Sequence, residues 1–460
     1  MTEDEYRELQ KKMDDKFEAE LEEQFKKIVN NPSPSIEDLW TLPEEYFYVW
    51  RRKYDYPKLI ESLNKNKPNF VKWKSEFNIN DEEIIAHRIS SFLKHKGPVK
   101  DKTLYLMEQT FDERKRLIVA HADLSKREVI HPDRGEAYVL IKTFISYSDW
   151  CDKKKIEFDL FKIVRRQAPN HKLERVWLDT GYELLKMGGN HPPVNGFGIL
   201  LRGKHLEFVN VCGLSLEGKM TFGSEGNLEM SYCAVDSLVC KNLDLHHLRL
   251  WYCTLGEMNM SNSEISQWIF WKCEVTGDII NSKLRAIRIF GGKFTPYIKD
   301  TQLIKVEADH KGLPNSGYNY TYSILKKIFD NQGNDDEAGK YYIKEKELSR
   351  EYSKGWKYIL KSISYYYWMY GKKPERVIYV SVGIIFLSAL IYWFFPAGIK
   401  PIEESKGFLD SIYFSVVTFT TLGYGDLSPV GSMRIVALLE AFFGALSMGF
   451  LVAGFSRAKY

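Results

Sequence analysis

The stretch that decides the fold is TTLGYGDLSP, residues 420–429. Gly423 and Gly425 flank Tyr424, two threonines and a leucine precede them, and Asp426 follows. Just upstream, FLDSIYFSVVTFT (Phe408 to Thr420) is apolar but only thirteen residues long, too short to cross a bilayer and long enough for a re-entrant helix. Non-helical backbone at that depth persists only where protein or an aqueous path surrounds it. A lining of inward-pointing carbonyls meets the condition. Successive carbonyls face one axis when alternate residues take left-handed backbone angles, and glycine takes them without a Cβ clash. Four copies of Thr421, Leu422, Gly423, Tyr424 and Gly425 about an axis would offer rings of oxygens that replace a cation's hydration shell, with the Thr421 hydroxyl innermost. The C-terminal end of each re-entrant helix would aim its partial negative charge at a cavity below.

The flanks fit this reading. VIYVSVGIIFLSALIYWFF, Val377 to Phe395, is nineteen residues without a formal charge, and IVALLEAFFGALSMGFLVAGF, Ile435 to Phe455, is interrupted only by Glu440. Each is close to the roughly 20 residues a membrane helix needs. Residues 340–376 hold ten Lys/Arg against four Glu, which places that side in the cytoplasm, and two spans return the chain there at Arg457 and Lys459. The aromatic run Tyr365 to Tyr370 predicts an amphipathic helix at the cytoplasmic interface. No row of arginines precedes the spans, so intrinsic voltage sensing is not expected.

Residues 377 to 457, under a fifth of the chain, resemble the pore module of two-helix prokaryotic potassium channels, whose usual filter is Thr-Val-Gly-Tyr-Gly; Leu422 stands for the valine. The resemblance implies a homotetramer in a lipid bilayer, with potassium, the transported ion, held at Thr421, Leu422, Gly423 and Tyr424. No other cofactor is expected. It also implies that Tyr424 braces the filter from behind, that Asp426 holds the outer mouth, and that Gly444 is a hinge. Gly449 and Gly454 follow at five-residue steps, and close helix packing is the alternative for all three glycines. Glu440, the one acid inside a span, is a functional candidate. It either hydrogen-bonds to the re-entrant helix behind the filter, the expected place, or lines the cavity.

Upstream, a second pattern appears. From Leu228, apolar or small residues recur every fifth position (Cys233, Leu238, Leu243, Leu248, on to Cys273), and a parallel row runs from Met230 to Val275. Neither a helical nor a flat-strand period gives two such rows. A coil with short square faces does, each face pointing two side chains inward. This resembles the pentapeptide-repeat family and its right-handed quadrilateral β-helix, with a bulkier inner row. Leu284, Ile289 and Phe294 continue the spacing out of phase, and residues 199–227 read as a degenerate start. Seven acids balance seven bases over residues 228–294, against the strongly acidic DNA mimics of that family, so a protein-docking rod is expected. The segment 320–370, helical and broken at DNQGNDD, is similar to the connector following such repeats in prokaryotic membrane proteins that end in a channel module. DNQGNDD lacks a calcium loop's ligand order and reads as a turn.

The rest is less specific. The net charge of +4 over 460 residues does not advertise nucleic-acid binding. The start, MTEDEYRELQKK, lacks a signal peptide's basic flank and apolar core. The six cysteines form no CxxC pair and read as reduced core residues. Tyr6, Leu9, Met13, Phe17, Leu21, Phe25 and Ile28 fall on one helical face. FISYSDW, Phe144 to Trp150, is similar to the opening motif of TIR domains but lacks their usual start and a matching catalytic glutamate, and no enzymatic activity is expected. The chain thus divides into an amphipathic helix and linker (1–35), a mixed, mainly α cytosolic domain of no assigned family (36–198), a pentapeptide-repeat-like β-helix (199–298), connector and interfacial helices (299–376) and a two-span α-helical pore module (377–460). The expected function is passive, potassium-selective conduction across the cell membrane. The cytosolic region gates it by pulling on the inner helices through the first span, driven by a ligand for residues 36–198, a protein on the β-helix or anionic lipid at the basic segment. A nonselective cation channel and a membrane-anchored docking scaffold are the alternatives.

Overall fold

The two five-residue rows become the inside of a β-solenoid. Parallel pairing sets Leu228 beside Leu248, Leu238 beside Met258 and Arg249 beside Ile269, so a coil takes twenty residues, four faces of five. Every member of both rows from Leu228 to Val275 is buried. At Leu255/Met258 the register slips by one, and Met258 faces Gly277. From there the coil takes nineteen residues: Ile265 faces Leu284, Phe270 faces Ile289 and Val275 faces Phe294. That single omitted residue is the whole reason the last three look out of phase in the sequence.

Corners are turned by left-handed residues. One corner carries Asn242, Asn262, Asn281 and Asp300, with φ of 49°, 49°, 46° and 48°, side chains that tolerate this region. Another carries Phe208, Tyr232, Tyr252 and Lys272. There stacking holds the unfavourable backbone, with ring centroids 5.3 Å apart for Phe208 and Tyr232 and 4.9 Å for Tyr232 and Tyr252. Inside, hydroxyls satisfy main-chain donors from coil to coil: Ser263 accepts from Leu243 N–H at 3.1 Å, Ser282 from Ser263 at 3.2 Å, and Thr301 from Ser282 at 3.2 Å.

The structure, a computed structural model, describes residues 19–94, 102–111, 114–121, 137–167, 174–187, 194–195, 205–220, 228–310, 318–401 and 407–457. It divides into two units, Met1–Tyr320 and Thr321–Tyr460. In the first, solenoid strands begin before the expected start at 199, at Lys186–Met187, and run past the expected end at 298 to Glu307–Asp309. Residues 36–198 are less helical than expected. Short helices fill Ile36 to Leu93, but an antiparallel sheet (Thr103–Phe111 between Arg114–Ala120 and Ala137–Ile145) and a hairpin (Lys162–Gln167 with Glu174–Asp179) follow. Nor is this region separate: Phe70, Trp73, Phe144, Tyr147 and Trp150 share one core with Phe208 and Tyr232 of the solenoid. FISYSDW serves that core, with Ser146 capping the helix Tyr147–Lys154. Of the N-terminal helical face, Tyr6, Leu9, Met13 and Phe17 lie outside the described residues, as does Lys459; Ile28 is buried.

In the second unit DNQGNDD is the turn between helices Tyr318–Asn331 and Asp335–Glu351, with Asn334 capping the latter. The interfacial helix is Trp356–Trp368, and the two long apolar helices are Glu375–Phe394 and Met433–Arg457. Their most apolar windows have mean hydropathy 2.2 and 2.1 but are only 28% and 22% buried. Core helices of a soluble protein would be mostly buried, whereas the apolar faces of these two are left open, in length and composition enough to cross a membrane.

One buried polar cluster ties the helices of the first unit to the solenoid. Arg51, fully buried, pairs with Asp55 at 2.7 Å and donates to the Glu207 carbonyl at 2.6 Å. The Glu207 carboxylate accepts from Ile89 and Ser90 N–H at 3.1 and 2.8 Å and from the Tyr56 hydroxyl. Burial alone would lower the Arg51 pKa, but Tyr56, Asp55 and Glu207 outweigh it and hold the guanidinium charged. Removing one partner of a buried pair strands the other. Arg51→Leu is therefore expected to destabilise the first unit by about 3–5 kcal/mol in urea unfolding; a loss under about 1 kcal/mol would show the cluster to be dispensable.

Candidate functional site

The re-entrant helix is Phe408–Phe419. Asp410 starts it by accepting from Gly407 N–H at 3.0 Å, an acid where the helix dipole favours one. Its end is closed by Thr420 Oγ1 donating to the Val416 carbonyl at 2.7 Å, by Thr421 N–H to Thr418 and by Leu422 N–H to Val417, both at 3.0 Å. Left-handed angles then alternate along the chain: φ is 56° at Thr421, 58° at Gly423 and 82° at Gly425, while Leu422 and Tyr424 stay outside that region. The glycines carry the angles the sequence asks of them. Thr421 is a third such residue that the sequence does not announce, because β-branched side chains rarely go there. Among the described residues no carbonyl from 421 to 425 accepts a hydrogen bond.

The surroundings hold this strand from outside. Asp426 accepts from the Tyr413 hydroxyl at 2.7 Å, a bond that keeps the Asp426 carboxyl below its usual range. Ile399–Lys400 pairs with Ser428–Pro429, and Val430 N–H donates to the Gly398 carbonyl at 2.8 Å. Tyr424 is 68% exposed and makes no ring contact among the described residues.

Glu440 is 2% exposed. Its Oε2 accepts from the Tyr392 hydroxyl of the first span at 2.8 Å, and its Oε1 is bonded to Ser415 of the re-entrant helix. Ser415 Oγ also reaches the Ile385 carbonyl at 2.8 Å. Of the two places considered for Glu440, the structure has the one against the re-entrant helix. Tyr392, Tyr413 and Ser415 are the residues sequence reasoning misses. The lone acid in a span was the only local signal, and it names no partner.

The glycines of the second span separate into different roles. A Cβ on Gly444 would lie 1.8 Å from the Phe419 carbonyl oxygen, whereas Gly449 has nothing within 4 Å. Gly444 thus lets the span touch the end of the re-entrant helix, the packing alternative. Below it the interfacial helix grips the same span directly. Tyr367 bonds to the Ser447 hydroxyl, and the Trp368 and Phe450 rings lie 4.6 Å apart.

These contacts predict that Gly444→Ala destabilises the folded module by about 1–3 kcal/mol, while Gly449→Ala stays within about 0.5 kcal/mol. Thermal unfolding in detergent compares them, and equal melting temperatures would refute the assignment.

Residues 379–458 match the ion channel family. Over 75 residues the chain is 32% identical to Two-pore potassium channel 2 of Arabidopsis thaliana, covering 16% of this chain and 15% of that protein. Over 52 residues it is 40% identical to Two-pore potassium channel 1 of the same plant, covering 11% and 14%. The chain thus spans about a seventh of the length of either relative. No solved structure matches the chain. The match falls on the C-terminal segment alone, two long apolar helices around a shorter one, which follows the β-solenoid in the chain.

Proposed function

We propose that the chain is a potassium-selective channel, four copies surrounding one pathway in the cell membrane with both ends cytoplasmic. The observation that carries this reading is the alternation of left-handed residues at Thr421, Gly423 and Gly425 with carbonyls left unbonded. Rings of such oxygens from Thr421, Leu422, Gly423 and Tyr424 substitute for water around a monovalent cation. All residues from 421 to 426 are exposed in one protomer, as positions facing a shared axis and neighbouring copies should be. The relatives' printed names, both potassium channels, support the choice of ion. In this reading Asp426 and Glu440 hold the filter's mouth and back, Gly449 is the bending point, and the solenoid is a pentapeptide-repeat rod that docks a partner. The cytosolic region gates the pore by moving the interfacial helix against the second span.

Potassium flux into liposomes tests the reading. The intact chain is expected to carry potassium over sodium, Gly423→Ala to abolish flux, and a form lacking residues 1–370 to keep selectivity but lose regulation. Equal reversal potentials for the two ions would favour a nonselective cation channel, and absence of flux from the intact chain, with partner binding that survives Gly423→Ala, a docking scaffold. Trp368→Ala removes an aromatic contact worth about 0.5–1.5 kcal/mol, so open probability should shift about two- to tenfold with selectivity intact. An unchanged open probability would exclude the interfacial helix as the lever.

A further inference from the structure

The first unit contains a cleft of about 750 Å³ between the helix Glu44–Trp50, the turn at Ala86–Arg88 and the strands Thr103–Phe111 and Arg114–Ala120. That is the size of a pocket for a small organic molecule. Arg52, Arg88, Lys115 and Arg116 line it, against the carboxylates Glu44 and Glu45. Their pairing is incomplete. Arg88, at the floor, is bonded to Glu44, lies 5.1 Å over the Tyr48 ring and reaches His205 Nδ1 at 3.0 Å. Lys115 pairs with Glu108 at 3.1 Å. Among the described residues Arg52 donates only to main-chain carbonyls, Tyr48 at 3.2 Å and Ala86 at 3.3 Å. Arg116 has neither an ion pair nor a hydrogen bond among the described residues. Among the described residues Arg52 and Arg116 thus line one concavity without a hydrogen-bonded carboxylate, Arg116 near enough to Glu44 for its charge to act there, with Val49 and Leu117 supplying apolar wall.

We propose that this cleft binds a small organic phosphate, its anionic group on Arg52, Arg88 and Arg116 and its apolar body against Val49 and Leu117. Guanidinium forks match phosphate oxygens bidentately, and a phosphate competing with Glu44 for Arg88 would reach the deepest of the three. Burial raises the Glu44 carboxyl pKa, with Arg88 and Arg116 opposing. The cleft volume leaves most of its space to a body beyond the phosphate. The inference stands apart from the conduction reading, since binding is measured whether or not ions flow.

Isothermal titration of the full chain in detergent with inorganic phosphate, AMP, ADP and glucose 6-phosphate tests it, with adenosine as the uncharged control. At least one of the esters should saturate one site per protomer, adenosine should not bind, and raising the salt should weaken binding. Arg116→Gln and Arg52→Gln should each weaken it about tenfold or more, the loss of a charge-assisted hydrogen bond. Because Arg116 makes no hydrogen bond or ion pair among the described residues, its variant should melt with the parent, which separates lost binding from lost fold. The proposal is overturned if no phosphate compound saturates, if the variants bind like the parent, or if inorganic phosphate binds as tightly as the esters.

Discussion

A main chain that leaves its helix inside a bilayer has no water to satisfy its carbonyls, and the second unit is built around that constraint at Thr420. Each nearby contact fixes the strand from its outer side. The helix end is closed on Val416, Val417 and Thr418. Gly444 meets the Phe419 carbonyl, Glu440 holds Ser415, and Tyr413 holds Asp426. None of these partners takes a carbonyl from residues 421 to 425, so those oxygens are left for what lies on the other side. Such a strand is costly on its own, since a left-handed threonine is disfavoured, and it persists because its two ends are over-determined.

How much of this the sequence discloses depends on separation along the chain. The re-entrant helix, the two glycines and the spans are local, and each leaves a mark in composition or length. The contacts that fasten them join residues 13, 25 and 48 positions apart (Tyr413 to Asp426, Ser415 to Glu440, Tyr392 to Glu440). A pair that occurs once at such spacing has no periodicity to detect. Glu440 was conspicuous only because an acid in an apolar span needs a reason; serine and tyrosine in the same setting do not.

The solenoid teaches the same lesson from the other direction. Its rows were legible because each coil repeats the demand for two inward side chains per face, and five residues per face is a period the eye can follow. One residue omitted before Gly277 breaks the count without breaking the coil, since pairing resumes one position earlier. Its extent is not legible at either end for a related reason. The outer coils pair through short strands such as Lys186–Met187 and Glu307–Asp309, whose two or three residues are too few to display a row. Arg51 and Glu207, 156 positions apart, were beyond any local reading.

The interfacial helix shows what packing adds to pattern. Its apolar residues Trp356, Ile359, Leu360, Ile363 and Tyr366 are exposed along one side, as a helix lying on a membrane surface requires. The other side is committed to the second span through Tyr367 and Trp368. Immediately after it, Met369, Tyr370 and Gly371 take left-handed angles in succession, φ 51°, 56° and 86°, a backbone state that bulky residues hold only under constraint. The second span is thus fixed above, where Glu440 and Gly444 meet the re-entrant helix, and gripped below at Ser447, Phe450 and, against Pro374, Gly454. Gly449 alone among its glycines meets nothing. The upper half of that helix thus rests on Phe408–Phe419 and the lower half on Trp356–Trp368, with Gly449 set among the lower contacts.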